Sequence, residues 1–173
     1  NFIPIACDYR TTDWLHAQCL VQQFLLNHQD QPLQKARIHA MLCYRTPLSL
    51  NERVKNEIHP EKQILKSHDW LNFHGEKLKE RFSLKAYHLM NHLLMSINTE
   101  EKKLKDISAN IHLIAVDSDL FFPAVEMRKS YAFLRGINSK TFYHEIKSVH
   151  GHDAFLMEYG QLNQILNTIF HEK

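Results

Sequence analysis

Ile111-His112-Leu113-Ile114-Ala115-Val116-Asp117-Ser118-Asp119 decides the fold. A nearly unbroken apolar, β-branched run closed by turn-forming residues is the pattern of a strand covered on both faces, as in parallel sheets. Forward of it, a helix is predicted from Pro123 to about Leu134, with Gly136 as its C-cap. A second strand is predicted over Thr141 to Lys147, then a loop from Ser148 to His152. A last helix carries apolar positions from Phe155 to Ile169. The order strand, helix, strand, helix predicts an α/β fold with parallel strands and flanking helices.

Backward of it, residues 11 to 105 hold no strand signal. Thr11 or Thr12 caps a helix over about 12 to 28, in which Trp14, Leu15, Gln18, Val21, Phe24 and Leu25 recur at helical spacing. The stripe of Trp14, Val21, Phe24 and Leu25 is expected in the core of this layer or in a subunit interface. Pro32 suits the first turn of a second helix with Leu33, Ala36, Ala40, Met41 and Tyr44 on one face, which Thr46-Pro47 ends. A short helix with a loop is predicted over 49 to 67 and a third long helix over 69 to 81. Ser83 caps a fourth, with Leu84, Tyr87, Met90, Leu94 and Ile97 facing inward. Ahead of the helices, Phe2 to Cys7 reads as a short buried strand in which Pro4 argues for an edge. The organisation predicted is a core strand at 1–10, a helical layer at 11–105 and the rest of the α/β core at 106–173.

The 173 residues carry 21 Lys plus Arg against 19 Asp plus Glu, a net charge of +2. With both signs interleaved, the balance supports neither nucleic acid nor an anionic membrane as a partner. The four glycines make no G-x-G-x-x-G, phosphate loop or G-x-S-x-G elbow, so those chemistries are excluded from this polypeptide. No apolar run approaches membrane-span length. Three cysteines without a C-x-x-C pair predict free thiols and a cytoplasmic location. Histidine is over-represented at 13 residues. His88 and His92 stand four apart on a predicted helix, yet the histidines are scattered over solvated faces, and no metal or bound cofactor is expected. The chain opens on Asn1 and runs at once into apolar sequence, which reads as a cut end.

In open parallel sheets, the loops at the carboxyl ends of the strands gather reactive groups. Asp117 and Asp119 follow the first strand; His150, His152 and Asp153 follow the second. Carboxylate then imidazole fits the latter part of the chain order nucleophile, Asp, His, with the nucleophile absent.

Ala115-Val116-Asp117-Ser118-Asp119-Leu120-Phe121-Phe122-Pro123, then Tyr143-His144-Glu145-Ile146, then Gly151-His152-Asp153-Ala154-Phe155-Leu156, resemble the C-terminal part of the homoserine O-acetyltransferases of the α/β-hydrolase superfamily. Lys35-Ala36-Arg37, Tyr44-Arg45-Thr46-Pro47 and Trp70-Leu71-Asn72-Phe73-His74-Gly75-Glu76-Lys77 with Arg81-Phe82 are similar to that family's helical lid. The resemblance covers nearly the whole chain, and Gly-His-Asp-Ala-Phe-Leu is its most specific string.

The resemblance implies the C-terminal part of an α/β-hydrolase fold plus a helical lid. It implies acetyl transfer from acetyl-CoA, as co-substrate, through a serine acyl-enzyme to the hydroxyl of L-homoserine, a step of methionine biosynthesis, in a homodimer formed through the lid helices. His152 becomes the general base and Asp119, four before Pro123, its orienting partner, while Asp117 is a loop or capping residue and His150 structural. Asp153 takes the substrate amino group and Arg37 its carboxylate. The family's serine elbow and oxyanion donors have no counterpart here, so this chain is expected to be inactive alone and to represent part of a larger enzyme. The alternatives are a related serine O-acetyltransferase, homoserine O-succinyltransferase or esterase, or a non-catalytic binding or dimerisation module.

Overall fold

Thr12 opens the helical part of the chain. Its hydroxyl accepts the backbone N–H of Leu15 at 3.1 Å, meeting one of the donors that a helix start leaves bare, and α1 (Asp13–Leu26) follows. α2 (Pro32–Tyr44) starts on its proline, whose missing N–H costs nothing in a first turn. Thr46 caps α3 (Pro47–Val54) by accepting from Ser49 N at 3.0 Å. α4 (Lys66–Arg81) comes next, and Ser83 caps α5 (Leu84–Met95) by accepting from Ala86 N at 3.1 Å. The computed structural model describes residues 1–171, and Thr11–Ile97 form one compact unit within it.

Two helix faces differ from their expected orientation. α1 buries Leu15, Gln18, Cys19, Gln22 and Leu26, while Trp14, Val21 and Phe24 are exposed, Phe24 by 67%. Glutamine takes an inner position because it finds partners there: Gln22 Nε2 donates to the Ala36 carbonyl at 3.1 Å and lies 2.9 Å from His39 Nδ1. On α5 the buried residue is Asn91, whose amide donates to the Cys19 carbonyl at 3.0 Å, and Leu84 and Met90 are exposed. α4 comes close to α2 at Gly75, where a Cβ would stand 2.5 Å from Gln34 Cγ.

The second unit joins residues 1–10 to 98–173, of which 172 and 173 lie outside the described residues. It contains α6 (Glu101–Lys105), β1 (Ile111–Val116), α7 (Ala124–Ile137), β2 (Thr141–Ile146), a 3-10 helix (Gly151–Leu156) and α8 (Tyr159–His171). The boundary falls at 97/98 rather than at 105. Leu104 of α6 is buried with Ile111 and Leu113, and Thr99 N donates to the Tyr9 carbonyl at 3.0 Å, so residues 98–105 belong with the sheet.

β1 and β2 pair in parallel, Ile111 opposite Thr141 through Val116 opposite Ile146, with α7 as the crossover that parallel pairing requires. Every residue of β1 is buried. One face packs Ile111, Leu113 and Ala115 against Met127 and Leu134 of α7. The other packs Ile114, Val116 and Ile146 with Ala154 against Leu162 and Ile165 of α8. Burying each such Ile or Leu stabilises the fold by about 1.5–3 kcal/mol before chain entropy is counted.

Phe2 to Cys7 does not form a regular strand. It lies parallel to β1 through isolated bridges at Phe2 and Ile5. Phe2 N donates to Asn110 O at 2.8 Å and Ala6 N to Ile114 O at 2.8 Å, but Pro4, midway between, has no N–H to give, and the ladder breaks there. Gly136 is not a cap either: α7 runs on to Ile137, with Asn138 as its C-cap. Phe155 and Leu156 precede the last helix, in the 3-10 segment.

Candidate active site

Two loops meet at the carboxyl ends of β1 and β2. Asp119 N donates to the Val116 carbonyl at 3.2 Å, a tight turn off the strand end, and the 3-10 helix begins soon after β2 with Gly151 at φ 73°, a backbone state that a side chain disfavours. This brings His152 Nδ1 to 2.8 Å from Asp119 Oδ2. The carboxylate is fully buried and the imidazole side chain 16% exposed.

A buried carboxylate needs partners, and this one has them. Asp119 Oδ1 accepts the backbone N–H groups of Phe121 at 2.7 Å and Phe122 at 2.8 Å, which leaves Oδ2 directed at the imidazole. The rings of Phe121, Phe122 and Phe155 have centroids 5.2, 5.8 and 5.7 Å from that of His152. The aromatic surround limits the rotation of the imidazole and keeps water from the Asp–His bond. With Nδ1 facing the carboxylate, Nε2 is the ring nitrogen placed for proton transfer.

Of the residues singled out in the sequence, Asp119 and His152 are in direct contact, and Asp153 is half-buried beside them in the first turn of the 3-10 helix. Asp117 holds the loop: its Oδ1 accepts from Ser148 N at 3.0 Å. His150 N donates to Ser148 Oγ at 3.2 Å. Arg37 stands on α2, in the helical unit, with its guanidinium 5.4 Å from the centroid of the Tyr44 ring. Burial, and then Tyr44, hold the hydroxyl of nearby Tyr87 well above the ordinary tyrosine range, with Arg37 opposing. Sequence reasoning missed the three phenylalanines and Ser118, whose Oγ accepts from Gly151 N at 3.1 Å. The consecutive Phe121-Phe122 just after Asp119 was the available signal for the rings. Among the described residues, no group of three or more His, Cys, Asp or Glu is arranged to hold a metal.

A homoserine O-acetyltransferase from Deinococcus radiodurans is 35% identical over 126 residues, 73% of this chain and 36% of the relative. One from Cyclobacterium marinum is 31% identical over 146 residues, 81% of this chain and 40% of the relative. This chain is a homologue of the homoserine O-acetyltransferases. It spans well under half the length of these curated relatives. No family model matches. Among solved structures, this chain superposes on a homoserine O-acetyltransferase from Bacillus anthracis with a TM-score of 0.82 at 14% identity, over 99% of this chain and 53% of that one. For esterase E22 the TM-score is 0.79 at 12% identity, over 96% of this chain and 53% of that one. The fold is that of part of an α/β-hydrolase.

Proposed function

We propose that this chain supplies the base and its orienting acid to an acyltransferase that moves an acetyl group from acetyl-CoA to the side-chain hydroxyl of L-homoserine. The 2.8 Å contact of His152 Nδ1 with Asp119 Oδ2 carries the reading. The nucleophilic serine, in this reading, belongs to polypeptide outside these 173 residues. His152 Nε2 takes the serine proton as Oγ bonds to the thioester carbonyl carbon; the C–S bond then breaks and the proton passes to the coenzyme A sulfur. In the second half, His152 takes the homoserine hydroxyl proton, the hydroxyl oxygen bonds to the acyl carbon, and serine leaves with the proton restored. Asp119 orients the ring through Nδ1 and stabilises the imidazolium.

Asp153 is proposed to receive the substrate ammonium and Arg37 its carboxylate, a planar match for a guanidinium. Exposed Trp14, Val21 and Phe24 on α1 offer an apolar face for a second copy of the chain, so a homodimer through the helical unit is part of the proposal. Three free thiols suit the reducing cytoplasm. Alone, the chain is proposed to be inactive.

The test is to incubate the protein, in its source context and as the isolated chain, with acetyl-CoA and L-homoserine. O-acetylhomoserine is quantified against free acetate. Formation of O-acetylhomoserine by the source protein, abolished by His152→Ala, supports the reading. Free acetate as the dominant product overturns it in favour of an esterase, and turnover by the isolated chain overturns the outside serine.

A further inference from the structure

His88 and His92 of α5 line a polar cavity of about 260 Å³ together with Gln23 of α1 and Asn91, Met95 and Ser96. Spacing alone leaves the pair among the surface histidines; a shared cavity singles it out. Residues four apart on a helix lie on one face with Cβ atoms about 5–6 Å apart, so two imidazoles can chelate a single ion from one side. Met95 follows at the next turn of the same face, and its sulfur is 3.8 Å from the Asn91 amide nitrogen. That same amide is anchored by its 3.0 Å bond to the Cys19 carbonyl, which fixes this wall of the cavity to α1.

We propose that this cavity is a binding site for a late first-row transition-metal ion, held by the imidazoles of His88 and His92 with the Met95 thioether beside them. Two borderline nitrogen donors and a soft sulfur exclude magnesium and calcium, which want hard oxygen ligands, and put copper ahead of zinc in the affinity order. His88 is half-buried and His92 exposed, so one donor is held by packing while the other faces the entry path. Gln23 and water complete the coordination. The site lies wholly in the helical unit and is independent of the Asp119–His152 pair.

Titration of the full 173-residue chain with Cu²⁺, followed by calorimetry and electron paramagnetic resonance, tests it. The expected result is one equivalent whose spectrum couples to two nitrogen nuclei. His88→Ala and His92→Ala should each weaken that equivalent by at least about tenfold, with helix content unchanged in circular dichroism. Absence of a two-nitrogen equivalent, or equal binding by wild type and both variants, would overturn the proposal.

Discussion

Ser118 Oγ accepts the backbone N–H of Gly151 at 3.1 Å, one residue before the Asp119–His152 bond on each of the two loops. Two consecutive cross-loop bonds therefore fix the register of acid and base, and the second is only as well placed as the first. Ser118→Ala removes a bond worth about 1 kcal/mol net. The expected outcome is a small loss of stability with a larger loss of acyl transfer in the proposed acyltransferase, read as kcat at saturating substrate. Unchanged kcat would show that the lower bond has no positioning role.

Asp119→Asn keeps the shape of the side chain and its contacts with the Phe121 and Phe122 amides but lacks the charge that holds the imidazole. In the proposed acyltransferase, acyl transfer should fall by about 10⁴-fold, the size seen when a triad aspartate is neutralised, while the denaturation midpoint moves little. A loss under tenfold would remove Asp119 from the mechanism.

Three glycines should respond differently to alanine. Gly75→Ala forces a Cβ to 2.5 Å from Gln34 Cγ where α4 meets α2, and should destabilise the helical unit by about 1–3 kcal/mol. Gly151→Ala places a side chain at φ 73°, at a cost of about 1–2 kcal/mol, and disturbs His152. Gly136 sits inside α7 with nothing within 4 Å of its would-be Cβ, so Gly136→Ala should stabilise by about 0.5–1 kcal/mol. Urea midpoints for the three variants check the order.

Burial pushes the thiols of Cys7, Cys19 and Cys43 up to about 11, with Asp8 adding to the effect at Cys7 and Cys43 at Cys19. All three should remain protonated at neutral pH and react slowly with a disulfide reagent, then rapidly and together once the chain is unfolded in denaturant. Fast labelling of the folded protein would contradict this.

Burial acts against the charge on Glu145, but hydrogen bonds from Lys147, Tyr143 and Arg128 outweigh it and hold the carboxyl at about 2. A folded value below the unfolded one gives stability that is present above the unfolded value and is lost as pH falls toward the folded one. The loss is expected between about pH 4.5 and pH 2, and Glu145→Gln should flatten that stretch of the stability curve. Asp8 has the opposite sign: burial raises it despite the 2.7 Å bond from Ser130 Oγ, so its share of the stability improves as acid protonates it.

The parts of this fold that were legible in the sequence are those whose signal is local. Ile111 to Val116 reads as a doubly covered strand because all six residues are buried, and Thr12 and Ser83 read as caps because their hydroxyls bond three residues on. Of the two places the sequence left open for the α1 stripe, the core does not take Trp14 and Phe24: hydropathy places them inside and Gln22 outside, whereas the Gln22 amide nitrogen meets Ala36 and His39 on another helix. Phe2 to Cys7 has the composition of a strand, and one absent proton at Pro4 prevents it from being a continuous one. Chain order and strand ends narrowed the pair to Asp117 or Asp119 and His150 or His152, and the family resemblance chose Asp119 and His152. The aromatic surround and the Ser118–Gly151 bond depend on how two loops meet, which no local pattern records.

Around the helical unit the chain departs and returns at adjacent points: Arg10 bridges Asn98 antiparallel, and Thr11 N donates to the Ile97 carbonyl at 2.7 Å. Residues 11–97 are thus topologically an excursion from a core that is continuous without them. Chain ends held this close are what allow whole domains to be spliced in or out. Evolution or an engineer can therefore exchange the excursion for another while Asp119 and His152 stay where the sheet has put them.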